Sequence, residues 1–67
     1  MKKCVVTNKE SGCKYTLFFK LNETPMAANG YEYGTENFVY SEEAHENETS
    51  ENFIKRVKKD VQMHEDL

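Results

Sequence analysis

The stretch Cys13–Leu21, CKYTLFFKL, alternates between apolar and polar residues with the single exception of Phe18. Cys13, Tyr15, Leu17, Phe19 and Leu21 fall on one side, and Lys14, Thr16, Phe18 and Lys20 on the other. A period of two is the signature of a strand, because successive side chains of an extended chain point to opposite faces. The first side is expected to face the core, and everything else in the chain must be arranged around that sheet.

The residues before it supply a partner. KKCVVT, residues 2–7, is rich in β-branched side chains, and NKESG, residues 8–12, carries turn chemistry with Gly12 free to take a positive φ. A β-hairpin follows. NETPMAANG, residues 22–30, reads as a loop because Pro25, Asn29 and Gly30 interrupt any pattern. Gly34 splits the next extended candidate, which places a third strand at Asn37–Ser41, with residues 31–33 as a lead-in or part of the same hairpin.

The C-terminal segment changes period. Thr49 or Ser50 can cap a helix with Glu51 in its first turn, where negative charge suits the dipole. At roughly 100° per residue, Phe53, Ile54, Val57 and Val61 gather on one arc, and Lys55, Lys59, Gln62 and Asp66 on the opposite one. TENF at Thr35 and SENF at Ser50 are nearly the same tetrapeptide, yet context makes the first a strand and the second a helix.

The expected architecture is α+β: a three-stranded antiparallel sheet with one C-terminal amphipathic helix on one face. All 67 residues form a single β-β-β-α domain, with a loop at 22–30, an acidic connection at 41–50 and a helix at 50–65. One helix covers one face. Val5 and Phe18, and either Val39 or the Phe38/Tyr40 pair, should point to the other, which is a place for a partner or a second copy unless the long loop folds over it.

A chain this short buries only roughly 60% of the surface its unfolded form exposes. Disulfides, a metal or oligomerisation usually compensate. Lys2 and Lys3 are followed by only CVV before polar residues, which is no secretory h-region, and no segment reaches membrane-span length. The sequence therefore reads as cytoplasmic, with Cys4 and Cys13 as thiols. Across the hairpin their separation along the strand is roughly 13 Å at about 3.3 Å per residue, too far for a disulfide. The two Asn-Glu-Thr triplets, at Asn22 and Asn47, match the glycosylation pattern but have no secretory route.

No cofactor or metal is expected. Cys4, Cys13, His45 and His64 lack the close paired spacing of a zinc site. His64 falls on the apolar arc near the helix end, and His45 lies in the acidic run, where carboxylates favour its charged form. The serines have no base beside them, and there is no phosphate loop or nucleophile elbow. The sequence does not read as an enzyme.

Charge is the remaining signal. The net charge is −3, but Lys20 is the last base before Lys55, and the interval holds Glu23, Glu32, Glu36, Glu42, Glu43, Glu46, Glu48 and Glu51. Such segregation creates a field that net charge understates. Tyr31, Tyr33, Phe38 and Tyr40 interleave with Glu32, Glu36, Glu42 and Glu43, and Glu46 and Glu48 continue the acidic run. This tyrosine-containing acidic surface is the candidate contact for a protein with a basic surface. Carboxylates set where phosphates would lie could also mimic nucleic acid. The alternative site is the basic helix surface of Lys55, Arg56, Lys58 and Lys59, a nucleic-acid or regulatory surface. A dimeric structural accessory protein is a third reading. A solvated acidic connection that only leads into the helix remains the plain one.

NFVYS, then EEAHENETSE, then an amphipathic helix beginning NFI resembles the small acidic inhibitors encoded by bacteriophages, including anti-CRISPR proteins that occupy the DNA-binding site of their nuclease. The resemblance covers less than half of the chain, and the basic helix and N-terminal lysines depart from that type. It implies a host-directed inhibitor and no particular target.

Overall fold

The computed structural model describes residues 2–63. Four strands and one helix follow in chain order: β1 (Lys2–Thr7), β2 (Lys14–Lys20), β3 (Ala27–Glu32), β4 (Phe38–Glu43) and α1 (Ser50–Met63). The sheet is an antiparallel meander in the order β1-β2-β3-β4. The α+β class and the C-terminal helix on the sheet agree with the sequence reading, but the sheet has four strands rather than three.

The extra strand is β3. Most of its residues, Ala27–Gly30, belong to the segment expected as a loop, so that connection shrinks to residues 21–26. Ala, Asn and Gly have poor β propensity, but β3 lies between two strands and pairs with both. Small side chains are also useful there. Gly30 stands opposite Leu17 and Tyr40, and a Cβ on it would come within 3.0 Å of both Leu17 Cδ2 and Tyr40 Cβ.

Register sorts the faces. Val6 pairs with Tyr15, Cys4 with Leu17, and Phe19 with Ala28, which sets these residues on the helix side. Val6, Tyr15, Leu17, Phe19, Ala28, Phe53, Val57 and Val61 form the buried core. The edge of the Phe19 ring meets Phe53 at 6.0 Å between centroids. Fully burying a side chain such as Phe19 or Leu17 contributes roughly 1.5–3 kcal/mol. Leu21 and Ile54 are half-buried against that core, whereas Cys13, at the end of the alternating stretch, is exposed.

The helix starts as its sequence suggests. Thr49 is the cap: its Oγ1 accepts from the Asn52 N–H at 3.1 Å, and its carbonyl accepts from the Phe53 N–H at 2.9 Å. At the other end the side-chain amide of Asn8 donates to the Val61 carbonyl at 2.8 Å, and the Lys9 N–H donates to the Gln62 carbonyl at 2.8 Å. Asn8 Oδ1 accepts from the Glu10 and Ser11 N–H groups, so one side chain shapes the β1–β2 turn and anchors the helix to it. Gly12 has the expected positive φ, 74°. His64 and the rest of the expected helix beyond Met63 lie outside the described residues.

Candidate functional site

The acidic connection is an ordered turn. The Glu48 N–H donates to the His45 carbonyl at 3.1 Å, and the Glu48 carboxylate accepts in return from the His45 N–H at 2.9 Å. Asn47 between them takes a positive φ of 66°. Arg56 then closes the turn onto the helix. Its guanidinium donates to both oxygens of Glu48 at 2.9 and 3.0 Å, to Glu42 Oε2 at 3.2 Å and to the Glu43 carbonyl at 3.0 Å. A planar fork is suited to this shared duty in a way an ammonium is not. The bonds from Arg56, followed by that from the His45 N–H, hold the Glu48 carboxyl down to about 2, and the Arg56 guanidinium is in turn raised above its usual range.

That clamp divides the tyrosine and glutamate residues singled out by the sequence. Glu42 and Glu48 share the single positive charge of Arg56. Tyr40 lies on the helix side, where its hydroxyl donates to Asp60 at 3.3 Å; burial, then the Asp60 carboxylate, raises its pKa. Tyr31 lies on the open side, opposite Thr16 and Phe38. Glu32 accepts from the Asn37 side-chain amide at the β3–β4 turn. Among the described residues Glu23, Glu36, Glu43 and Glu46 make no ion pair. The acidic residues thus form a rim around the β4 edge rather than one patch with the three tyrosines.

A β-bulge causes the split. Gly30 pairs with Tyr40 and Tyr31 with Phe38, which leaves Val39 as an extra residue on β4. Phe38 and Tyr40 consequently occupy opposite faces, although the sequence reading treated them as a same-face pair. Among the described residues no helix covers the open face, where Phe18, Tyr31 and Phe38 make a line of edge-to-face contacts across three strands. The centroids are 5.8 Å apart between Phe18 and Tyr31, and 5.7 Å between Tyr31 and Phe38. Phe38 is 57% exposed, Tyr33 58% and Val5 47%.

Lysines share that face. Lys3 Nζ lies 5.8 Å from the Phe18 centroid and Lys14 Nζ 5.7 Å from that of Tyr33. Phe18, Tyr31 and Asn29 line a hollow of about 520 Å³, whose walls include Lys20, Thr35 and Glu36. The open face is therefore basic toward β1 and β2, aromatic through the middle, and acidic at Glu36 and Glu43.

The basic helix surface is divided as well. Arg56 faces the acidic connection, Lys55 pairs with Glu51 at 3.5 Å, and Lys55, Lys58 and Lys59 line a groove beside β1. Among the described residues no group of three or more His, Cys, Asp or Glu side chains is placed to hold a metal ion, and no helix is long and apolar enough to cross a membrane. Sequence reading missed Asn8 and the bulge. The Asn-x-x-Ser spacing of residues 8–11 is a recognisable turn signal for the first; nothing local marks the second. Compared with protein-family models, with curated proteins and with solved structures, the chain matches none.

Proposed function

We propose that this chain is a non-enzymatic protein-binding module, an inhibitor or modulator of a larger assembly, that meets its partner through the open sheet face. The observation that carries this reading is the aromatic line of Phe18, Tyr31 and Phe38, half-buried at Phe18 and Tyr31 and exposed at Phe38, on the face that α1 does not cover. Aromatic side chains supply the desolvated centre of interfaces, and a contiguous apolar patch that reaches solvent often marks a contact site. Glu36, Glu43 and Glu46 supply the acidic rim, which suits a partner with a basic surface and speeds encounter with it. The proposed setting is the cytoplasm, and the phage-type, host-directed role follows from the resemblance noted above.

The test compares tagged wild type with Phe38→Asp and with the Glu36→Lys/Glu43→Lys double variant in capture from lysate, followed by calorimetry with the purified partner. The reading expects one stoichiometric protein, lost with Phe38→Asp and weakened by the double variant. A partner indifferent to both changes, or nucleic acid in its place, would sink it.

A second copy is the other occupant with a specific observation in its favour. The open face carries Lys3, Lys14 and Lys20 toward one edge and Glu36 and Glu43 toward the other. A two-fold axis parallel to the strands would lay β1 of one copy over β4 of the other, setting lysine against glutamate. Sedimentation separates the cases, because a dimer abolished by Phe38→Asp would make the face a self-contact.

A further inference from the structure

A different surface carries its own argument. Among the described residues β1 is an edge strand paired only with β2, so its outer side presents backbone N–H and C=O groups to which no described strand is paired. The helix leaves an open groove of about 770 Å³ alongside it. Its apolar lining comes from two sides, Val5 on the open-face side of β1 and Met63 on the helix, 47% and 51% exposed. Its walls bring together Lys9 from the turn and Lys55, Lys58 and Lys59 from the helix, with no Asp or Glu among the lining residues.

On a chain of net charge −3 this is a local inversion of sign. Lysines on an edge strand are also a common guard against unwanted pairing. That guard accounts for Lys2 and Lys3, which lie on β1 itself, but not for Lys58 and Lys59, which come from the helix and frame the groove from the far side. We propose that the β1 edge docks an extended acidic peptide segment as a fifth strand.

The chemistry fits each part of that occupant. Its backbone would complete the ladder on the free side of β1. Alternate side chains of a strand point to opposite sides, so every second residue, if apolar, would lie beside Val5 on the open face, and the residues between would turn toward the helix. The carboxylates would lie within reach of Lys9, Lys58 and Lys59. A nucleic acid would satisfy the lysines but neither the edge backbone nor the apolar side chain of Val5.

The test uses the full chain, isotope-labelled, titrated with a short capped peptide alternating Glu and Val and followed by amide chemical shifts. Three probes serve as controls: the same peptide N-methylated at alternate amides, one with Lys in place of Glu, and an oligothymidylate of matching length. The proposal expects shifts confined to β1 and the facing side of the helix. It also expects no binding by the N-methylated or Lys peptides, and affinity lowered roughly tenfold or more in the Lys58→Glu/Lys59→Glu double variant. Both lysines are exposed, so an otherwise unchanged amide spectrum will confirm that the variant is folded. Equal binding of the N-methylated peptide, tighter binding of the oligonucleotide, self-association that occupies β1, or no shifts at millimolar peptide would each overturn it.

Discussion

Arg56 holds Glu48 with two parallel bonds, 2.9 Å from Nε and 3.0 Å from Nη2, and so ties the acidic connection to the second turn of the helix. The same guanidinium lies 5.5 Å from the Phe53 ring centroid. One side chain thus joins the connection, the end of β4 and the core-facing side of the helix.

Replacing it should be felt across all three. Arg56→Ala is expected to lower the melting temperature and to speed amide exchange through residues 42–49. Arg56→Lys should recover only part of the loss, since one ammonium cannot reproduce the fork. Lys55→Ala is the control: its pair with Glu51 is exposed and contributes at most about 0.5 kcal/mol. Equal melting of Arg56→Ala and Lys55→Ala would contradict the clamp.

The pH dependence follows from Glu48. Its carboxyl is held down to about 2, against 4.5 for an unperturbed glutamate. A depressed carboxyl stabilises the fold fully above its unfolded value and loses that contribution as pH falls through the folded one. Stability should therefore decline between about 4.5 and 2, with that part of the decline missing in Glu48→Gln. Thermal melts of the two proteins across this range decide the matter, and parallel curves would exclude Glu48 as the source.

Asn8 is 1% exposed and bonded to both the turn and the helix end. Asn8→Ala leaves the Val61 carbonyl and the turn amides without that side chain and should cost about 2 kcal/mol in denaturant unfolding. Asn8→Asp should not rescue it, because a carboxylate cannot donate to Val61. Faster exchange in the last helical turn is the local signature.

Gly30→Ala tests the close approach at the centre of the sheet. The added methyl would stand 3.0 Å from Leu17 Cδ2 and from Tyr40 Cβ, so one neighbour must move. A loss of about 1–3 kcal/mol is expected. A neutral substitution would mean that Tyr40 yields easily.

The two thiols should separate kinetically. Cys13 is exposed, whereas Cys4 is half-buried and burial raises its pKa, only partly offset by Lys58 and Lys2. Thiolate is the reactive form. Alkylation near neutral pH should modify Cys13 first, read by mass spectrometry of digests; simultaneous loss of both would count against the placement of Cys4.

The sequence by itself determined the parts governed by short-range periodicity. The β1–β2 hairpin, the buried set of Tyr15, Leu17 and Phe19, and the helix face of Phe53, Val57 and Val61 were legible because each pattern repeats within a few residues. The Thr49 cap was legible as one of two neighbouring candidates for the same reason. Tertiary structure decided the rest. AANGYE carries no strand pattern and becomes β3 because two neighbours pair with its backbone. Val39 is a bulge only by comparison with its partner strand, and that register places Phe38 in the aromatic line and Tyr40 beside Asp60. The run of glutamates looked uniform in one dimension. Folding brings one arginine to Glu42 and Glu48 and leaves Glu36, Glu43 and Glu46 in solvent, because charge pairing depends on distance in space rather than spacing along the chain.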